Sequence, residues 1–410
     1  MKLFKGFVLI LSVSIFLFGC GVQLQKKELK DYSNTIINIY TSFDNEQQFY
    51  KNYGNLILDH FPGIEINLIM PSDDKTITPH LMFLYTDDYQ RLNQQSYLMD
   101  LSLFVKEDKL DLDKYADSMV DAFSTENGAL YGLAPRVNIF GIFYNKDLFD
   151  QFHIDYPVSG MDWYELLNIA SRFEGSAIGI ESTFSASSWL MEITSTNKSY
   201  FIDLKSDSIS FQKEEWTTAI QRIIELYQAK TVLSNKDDQF IQGKAALLLD
   251  GSVQFIDHLH RNDNFSWGFV PEPVNSKKRD ESRSVFFDQV LSIPEKSANK
   301  ELAWQIIKVL MDEQVADEYN SFPKSVSTLK SHMNQYSGVS LEEFWQQNLD
   351  INPGILPSVL SSSFIGEFYE TLEKELQLAI DGKQTADQTF EKLVNQTHIA
   401  YEKEKLRRNE

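Results

Sequence analysis

The sequence predicts an α/β fold in which parallel strands alternate with helices. The apolar run Ile36–Tyr40 is typical of a short strand, and Ile64–Leu68 alternates apolar and polar residues as a second strand does. Between them, apolar residues recur at helical spacing, so the order is strand, helix, strand. That order implies parallel pairing through a right-handed crossover. Ligands of such sheets bind beyond the carboxyl ends of the strands.

Two loops in this first block are the first places to look for a site. The first helix is predicted to begin at Asp44, because Gln47 three residues later completes a capping-box pattern. Leu81–Tyr85 is a third apolar run, followed by the polar turn Thr86–Asp88. The loops after the first and third strands, Thr41–Phe43 and Thr86–Asp88, therefore lie at strand ends.

A second block repeats the strand-then-helix pattern. Val137–Tyr144 is strand-like, and a later helix opens at Asp162, where Glu165 completes another capping box. The polar segment 275–284 is predicted to be an exposed loop. Further helices are predicted over 214–228, 254–260, 300–311, 341–347 and 364–380, and further strands over 245–249 and 285–293.

Composition bounds the domain count and the partners. The chain has 410 residues, 42 % of them hydrophobic, which corresponds to two or three domains. The formal net charge of −21 repels phosphate backbones, so no nucleic acid partner is expected. A single cysteine excludes an internal disulfide framework and any metal site made of several cysteines.

The sequence contains no recognised catalytic or cofactor motif. GxGxxG, P-loop, HExxH and G-x-S-x-G patterns are absent. His258 and His260 are two residues apart on a predicted helix, so they point to different faces and cannot jointly hold a metal. We therefore expect no catalytic residues, no metal site and no cofactor. Adjacent acids such as Asp87-Asp88 leave open a carbohydrate-active enzyme that uses a carboxylate pair.

The N-terminus has the features of an export signal. Lys2 and Lys5 precede the apolar run Phe7–Phe18, which is shorter than the about 20 apolar residues of a membrane-spanning helix. The sequence Leu17–Cys20 resembles a bacterial lipobox, which implies a signal peptide over 1–19, lipidation (palmitate) at Cys20 and a tether over 20–34. The alternative is a short uncleaved anchor. Either way, the body is expected outside the cytoplasm, at the cell membrane.

Several motifs together resemble family 1 extracellular solute-binding proteins, the maltose-binding-protein-like substrate-binding lipoproteins of ABC importers. The stretch LYGLAPRVNIFGIFYNKDLF at 130–149 resembles the family's crossover strand, and FIQGKAALLLDGS at 240–252 resembles its "F-GKAAM" strand. Further similar segments are WGFVPEPVN at 267–275, SIPEKSANKELAWQIIKVLM at 292–311 and LAIDGKQTADQTFEKL at 378–393. One departure is that Ser252 and Val253 follow Gly251, where the family often has a tryptophan two residues after the glycine.

The resemblance implies a two-lobed periplasmic-binding-protein-like fold with a hinged cleft. Residues 35–137 and 275–320 would form lobe I, and residues 138–274 and 321–410 would form lobe II. The chain would cross between the lobes near Val137–Gly141, Pro271–Val274 and Asn320–Pro323. Tyr319 and Phe322 would flank the third crossing, with a core role as the alternative.

The same resemblance implies a binding protein rather than an enzyme. It would be a monomer that captures a small solute, most simply a mono- or oligosaccharide, and delivers it to the membrane permease subunits of an ABC importer. The candidate ligand-binding residues are Ser42, Phe43, Asp87, Asp88, Trp189, Asp250, Gly251, Ser252, Phe287 and Asp288.

Alternatives stay open for some of these residues and for the function. Ser42 and Phe43 could instead belong to a helix start, and Trp189 could pack in the core. Besides the carbohydrate-active enzyme, a lipoprotein that presents a solute to a membrane sensor kinase has the same closing cleft. A polyamine or a peptide could replace the sugar, because the loop at Asp87-Asp88 is acidic.

Overall fold

The computed structural model describes residues 32–73, 77–182, 184–203, 206–234, 238–262, 264–319, 325–350 and 360–409. The expected signal peptide, Cys20, most of the tether, and Asn320–Pro323 with Phe322 lie outside the described residues. Among the described residues, no helix has both the length and the apolar composition needed to cross a bilayer.

Helices and short strands alternate along the described residues. The helices are α1 (Glu46–Phe49), α2 (Asn55–His60), α3 (Thr86–Gln94), α4 (Ser102–Glu107), α5 (Asp117–Phe123), α6 (Lys146–Phe152), α7 (Trp163–Ser171), α8 (Ala186–Thr196), α9 (Lys213–Gln228), α10 (Phe255–Arg261), α11 (Lys300–Leu310), α12 (Glu313–Tyr319), α13 (Ser362–Ile380) and α14 (Ala386–Asn409). The strands are β1 (Thr35–Thr41), β2 (Ile64–Ile69), β3 (Leu81–Leu84), β4 (Arg136–Asn145), β5 (Ile178–Ser182), β6 (Ile202–Asp203), β7 (Ser208–Ile209), β8 (Val232–Ser234), β9 (Ala245–Ser252), β10 (Trp267–Pro271), β11 (Glu281–Ser282), β12 (Val285–Phe287), β13 (Val290–Ser292), β14 (Val326–Ser327), β15 (Gln335–Tyr336), β16 (Val339–Ser340) and β17 (Asn348–Leu349).

The first sheet has the strand order β13-β3-β1-β2. Strand β1 runs parallel to β2 and β3, with Ile37 beside Ile66 and Tyr40 beside Met82. Strand β13, from far along the chain, adds antiparallel to β3 at the edge. The predicted α/β class and the parallel pairing of the first strands are therefore confirmed.

The second sheet has the order β10-β4-β9-β5-β8, and the short strands β12 and β14 also pair with β4. The second half of β4 pairs antiparallel with β9 and β10. Its first half pairs antiparallel with β12 and β14 instead. Strand β5 is parallel to β8 and β9, so the carboxyl ends of these three strands lie at one edge.

Two hydrophobic cores form around the sheets. The first contains Phe83 and Trp304, both fully buried, and the second contains Trp163 and Trp216. Helix α7 packs on the second core through Trp163, Leu166, Leu167 and Ala170, and Phe173 follows just after the helix; all five are at most 3 % exposed. Helices α13 and α14 pack against α9 over the second sheet, which buries Phe364, Phe368 and Leu393.

Helix starts follow local hydrogen bonding. The capping box of α7 is confirmed, because Asp162 and Glu165 each accept the other's backbone N–H at 2.9 Å. The predicted start of the first helix at Asp44 is wrong. Asn45 is the N-cap, since its side chain accepts the N–H of Gln48 at 2.9 Å, and an amide oxygen one residue later competes successfully for that role.

Three other segments differ from expectation. The strand predicted over 285–293 is two strands in different sheets, β12 and β13, separated by Asp288-Gln289. The helix predicted over 341–347 is only the 3₁₀ turn Glu342–Trp345. Segment 275–284 is not simply an exposed loop, since Ser282 and Ser284 are fully buried.

Segment 275–284 is attached to the helices of the second core. The guanidinium of Arg279 contacts Asp162 at 2.8 Å and Glu165 at 2.7 Å, the two members of the α7 capping box. Arg283 donates to the hydroxyl of Ser195 on α8 at 2.8 Å. The chain therefore rejoins the first sheet only at β13, after this attachment.

His80 provides a pH-dependent contribution to the stability of the first sheet. Its Nδ1 accepts the backbone N–H of Asn38 at 3.1 Å, and burial lowers the pKa of its imidazole. The unfolded chain, with a histidine pKa of about 6.5, then binds a proton more readily than the folded chain. The stability contributed by His80 is therefore fully present above the unfolded-chain pKa of about 6.5. It is lost as the pH falls from there through the lower pKa of the folded chain.

We predict that His80→Asn, which keeps an acceptor but cannot titrate, reduces the loss of unfolding free energy between pH 7.5 and pH 5. Urea denaturation of both proteins at several pH values measures this. Equal losses in the two proteins would exclude His80 as a contributor.

Candidate functional site

The ends of β1 and β3 bring several of the predicted residues together. Because the two strands are parallel, their carboxyl ends meet, and the N–H of Ser42 donates to the carbonyl of Phe83 at 2.9 Å. The hydroxyl of Ser42 donates to Oδ2 of Asp88 at 2.8 Å. Residues 46 positions apart in the chain thus form one polar edge, as the strand-end argument predicted.

Asp87 and Asp88 lie in a helix rather than in the predicted loop. Helix α3 begins at Thr86, directly after β3, so both carboxylates occupy its first turn. Negative side chains are favoured there by the partial positive charge of a helix N-terminus. Asp88 also forms an ion pair with Arg91 at 2.5 Å, whereas Asp87 is exposed.

Phe43 is buried beneath this polar edge and packs against two tyrosines. It is only 2 % exposed, and its ring lies 6.2 Å from the rings of both Tyr53 and Tyr85. Tyr85 is half-buried, and burial raises the pKa of its hydroxyl, with further increases from the charges of Asp44, Asp288 and Asp87. These three carboxylates therefore disfavour ionisation of the Tyr85 hydroxyl.

Asp288 belongs to a buried charge cluster. Its Oδ2 accepts from the Arg136 guanidinium at 2.6 Å and from the Tyr53 hydroxyl at 2.8 Å. Arg136 is 1 % exposed and also lies over the Tyr53 ring, 4.3 Å from its centroid. Asp288 was predicted from the sequence as a site residue, whereas Arg136 was not. The sequence feature that could have indicated Arg136 is a positive charge at the start of a mostly apolar strand.

Phe287 is placed in the core, and its neighbour is the exposed residue. Phe287 is 6 % exposed and packs on Phe123, with 4.7 Å between the ring centroids. Phe286 is 39 % exposed, and its ring lies 5.8 Å from that of Phe140 on β4, at 84°. Strand alternation places only one of two adjacent phenylalanines at the surface, and the sequence could not say which.

The end of β9 lies beside the crossing strand. Asp250, Gly251 and Ser252 are its last residues, and Gly251 and Ser252 pair with Gly141 and Phe140 of β4. A Cβ atom on Gly251 would lie 2.4 Å from Cδ2 of Phe143, so only glycine permits this approach. Ser252 is half-buried and adjoins Phe140.

Trp189 lies inside the second core. It is 1 % exposed, and its indole N–H donates to the hydroxyl of Ser182 at 2.8 Å. Its position matches the core alternative, and the structure does not bring it to the other candidates. Tyr319 is the last residue of α12, and the structure describes its backbone but not its side chain.

An open cavity of about 690 Å³ lies beyond the carboxyl end of β5. Ser185 caps α8, and Ser187 donates to the carboxylate of Glu373 on α13. The lining residues are Ser185, Ser187, Ser188, Tyr369, Glu370, Glu373, Lys374 and Gln377. Sequence reasoning missed the α13 residues, because nothing local shows that a helix so far along the chain covers this strand end.

Carboxylates, hydroxyls and tyrosines near the strand ends of the two sheets offer hydrogen bonds and ring contacts. Within the described ranges, no three His, Cys, Asp or Glu side chains are grouped so that they could hold a metal ion.

Comparison with known families identifies the class of protein. A sequence model of the family described as bacterial extracellular solute-binding protein matches residues 45–317, more than half of the chain. The chain belongs to this family, and its location is accordingly extracytoplasmic. No curated protein sequence matches the chain.

Solved structures show the same two-lobed fold. The sugar-binding protein MalE from Xanthomonas citri is 14 % identical, with a TM-score of 0.61 over 91 % of this chain and 98 % of that one. An ABC substrate-binding protein from Listeria monocytogenes, in complex with cycloalternan, is 15 % identical with a TM-score of 0.58 over 90 % and 98 %. A cyclic α-maltosyl-1,6-maltose binding protein from Arthrobacter globiformis is 14 % identical with a TM-score of 0.56 over 90 % and 99 %. At these identities, the likeness establishes the fold.

The two ion pairs at the first-sheet edge should differ in their contribution to stability. We predict that Asp288→Asn lowers the free energy of unfolding by roughly 3 kcal/mol, because it removes a carboxylate that accompanies a buried guanidinium. Arg91→Gln breaks a pair whose arginine side chain is 42 % exposed, and should cost less than about 1 kcal/mol. Urea denaturation at pH 7 measures both. Similar losses in the two variants would contradict the assignment of Arg136 and Asp288 as a structural cluster.

Proposed function

We propose that this chain is a lipid-anchored solute-binding protein that captures a mono- or oligosaccharide between two lobes and delivers it to an ABC importer. The observation that carries the proposal is the arrangement of strand ends. The polar edge at Ser42 and Asp88 belongs to the first sheet, and the open cavity at Ser187 and Tyr369 lies beyond a strand end of the second sheet. Closing the lobes would surround a solute with groups from both.

The chemistry of the lining supports a sugar. Ionised carboxylates such as Asp87 accept hydrogen bonds from hydroxyl groups, and such charge-assisted bonds are about twice as strong as neutral ones. Tyr85 and Tyr369 add aromatic rings with polar tips. Relatives of the same fold are described with sugars bound, including cycloalternan in one and mannobiose in another.

The proposed lobes follow the two sheets. Lobe I comprises 35–137 and 275–320, and lobe II comprises 138–274 and 321–410. Within lobe I, residues 275–284 contact α7 and α8 of lobe II through Arg279 and Arg283. Strand β4 and the β12-to-β13 link are the described connections between them. Rotation about these connections is the proposed closing motion, and the permease would bind the closed form.

Thermal melting tests the solute. With residues 1–22 removed, the protein is expected to melt roughly 2–4 °C higher in a sugar at 100 times its dissociation constant, which adds about 2.7 kcal/mol. The panel contains mannobiose, maltotriose, cycloalternan, polyamines and short peptides. Stabilisation by an amine or a peptide alone would overturn the sugar, and release of hydrolysis products would support the enzyme alternative.

A matched pair of variants localises the effect. Asp87→Asn removes an exposed carboxylate from the first turn of α3, so the unliganded melting temperature should fall only slightly while the sugar-dependent rise shrinks. Asp121→Asn removes an exposed carboxylate on α5 and should change neither value. If the two variants respond alike, the strand-end site is not where the solute binds.

Fractionation of cells tests the anchor. We predict that Cys20→Ala moves the protein from the membrane fraction to the soluble fraction, because the proposed acyl chains can no longer be attached. Asp87→Asn is the control and should stay with the membrane. Retention of the Cys20→Ala protein on the membrane would argue for an uncleaved N-terminal anchor instead.

A further inference from the structure

We propose that Phe140 and Phe286 form an aromatic corner on the floor of the cleft, against which the apolar face of the bound sugar ring packs. The inference rests on the proposed function and names two contact residues that determine its specificity. Phe140 lies on β4 and Phe286 on β12, the two strands that pair where the sheets meet.

Strand alternation separates these rings from the core. On β12, the side chains of Val285 and Phe287 are 4 % and 6 % exposed, whereas Phe286 between them is 39 % exposed. On β4, Val137 and Ile139 are fully buried, whereas Asn138 and Phe140 are half-buried. Phe286 and Phe140 therefore project from the same face of this strand pair, opposite the first core.

The corner is continuous with the polar groups of the site. Asp288 lies two residues after Phe286, just beyond the end of β12, and its carboxylate accepts from the Arg136 guanidinium and from the hydroxyl of Tyr53. On the other side, Ser252 at the end of β9 pairs with Phe140. Polar groups from both sheets therefore flank the two rings.

The geometry of the rings suits a sugar. Their planes meet at 84° with centroids 5.8 Å apart, so together they form a right-angled apolar surface. Among the described residues, no other aromatic ring packs on Phe286. A sugar ring has an apolar C–H face bordered by hydroxyls, which matches an apolar corner bordered by Asp288, Asn138 and Ser252.

A second observation explains why the platform lies here. Val253 occupies the place where similar proteins often have a tryptophan, and it is fully buried in the first core. The end of β9 therefore supplies no aromatic surface of its own at that position. In this proposal, the rings of Phe140 and Phe286 supply that surface instead.

Calorimetric titration of the protein with mannobiose, maltotriose and cycloalternan tests the corner. Phe286→Ala should weaken binding of the sugar that binds the unaltered protein by about tenfold or more, the loss expected for removing a large apolar contact. Phe286→Trp should retain binding and gain a fluorescence change on sugar addition that Phe286→Ala lacks. Leu103→Ala, which truncates a residue 64 % exposed on α4, is the control and should leave affinity unchanged.

The outcomes separate this inference from the proposed function. If the unaltered protein binds a sugar and folded Phe286→Ala binds it equally well, the corner is refuted and the sugar-binding function stands. If Phe286→Trp binds without a fluorescence change, the ring does not contact the solute, and the corner is again refuted. If the unaltered protein binds none of the three sugars, both proposals fail. A circular dichroism melt of each variant confirms that it is folded.

Discussion

Strand β4 is the constraint on which the arrangement of the whole molecule depends. Its ten residues have different partners along their length, all within the second sheet. The first half takes β12 and β14, and the second half takes β9 and β10. Asp288, which follows β12, and Ser252, at the end of β9, are therefore both positioned by pairing with this strand.

The carboxylates at the candidate site are of two kinds: some are paired within the protein, and one is exposed to solvent. Asp288 is committed to Arg136 and Tyr53 within a buried cluster, and Asp88 is committed to Ser42 and Arg91. Asp87 is exposed on the first turn of α3. Asp88 and Asp288 hold specific partners in place, whereas Asp87 contributes to stability only modestly, through its place at a helix N-terminus. Because of this difference, substitution of Asp288 should change the stability of the fold much more than substitution of Asp87.

Prediction from sequence succeeded where the signal was local. The parallel first strands, the α7 capping box at Asp162 and Glu165 and the position of Ser42 and Asp88 at strand ends all follow from spacing and short-range chemistry. It failed where partners far apart in the chain decide the outcome. The apolar run at 285–293 looks continuous, yet β12 and β13 pair with different strands, which breaks it. Tyr369 and Arg136 belong to the same category, because only the packed structure shows which strand end they approach.

The attachment of residues 275–284 to α7 has a mechanical consequence. Arg279 forms ion pairs with Asp162 and Glu165 at the start of α7. Strand β13, which belongs to the first sheet, begins only eleven residues later. Between β12 and β13 there remain Asp288 and Gln289, and the amide of Gln289 is fully buried without a hydrogen-bond partner among the described residues. Asp288, in contrast, is held firmly, because its backbone N–H donates to the carbonyl of Arg136 at 3.1 Å and its carboxylate pairs with the Arg136 guanidinium at 2.6 Å. A displacement of one sheet relative to the other would therefore act first on these two residues and on that ion pair.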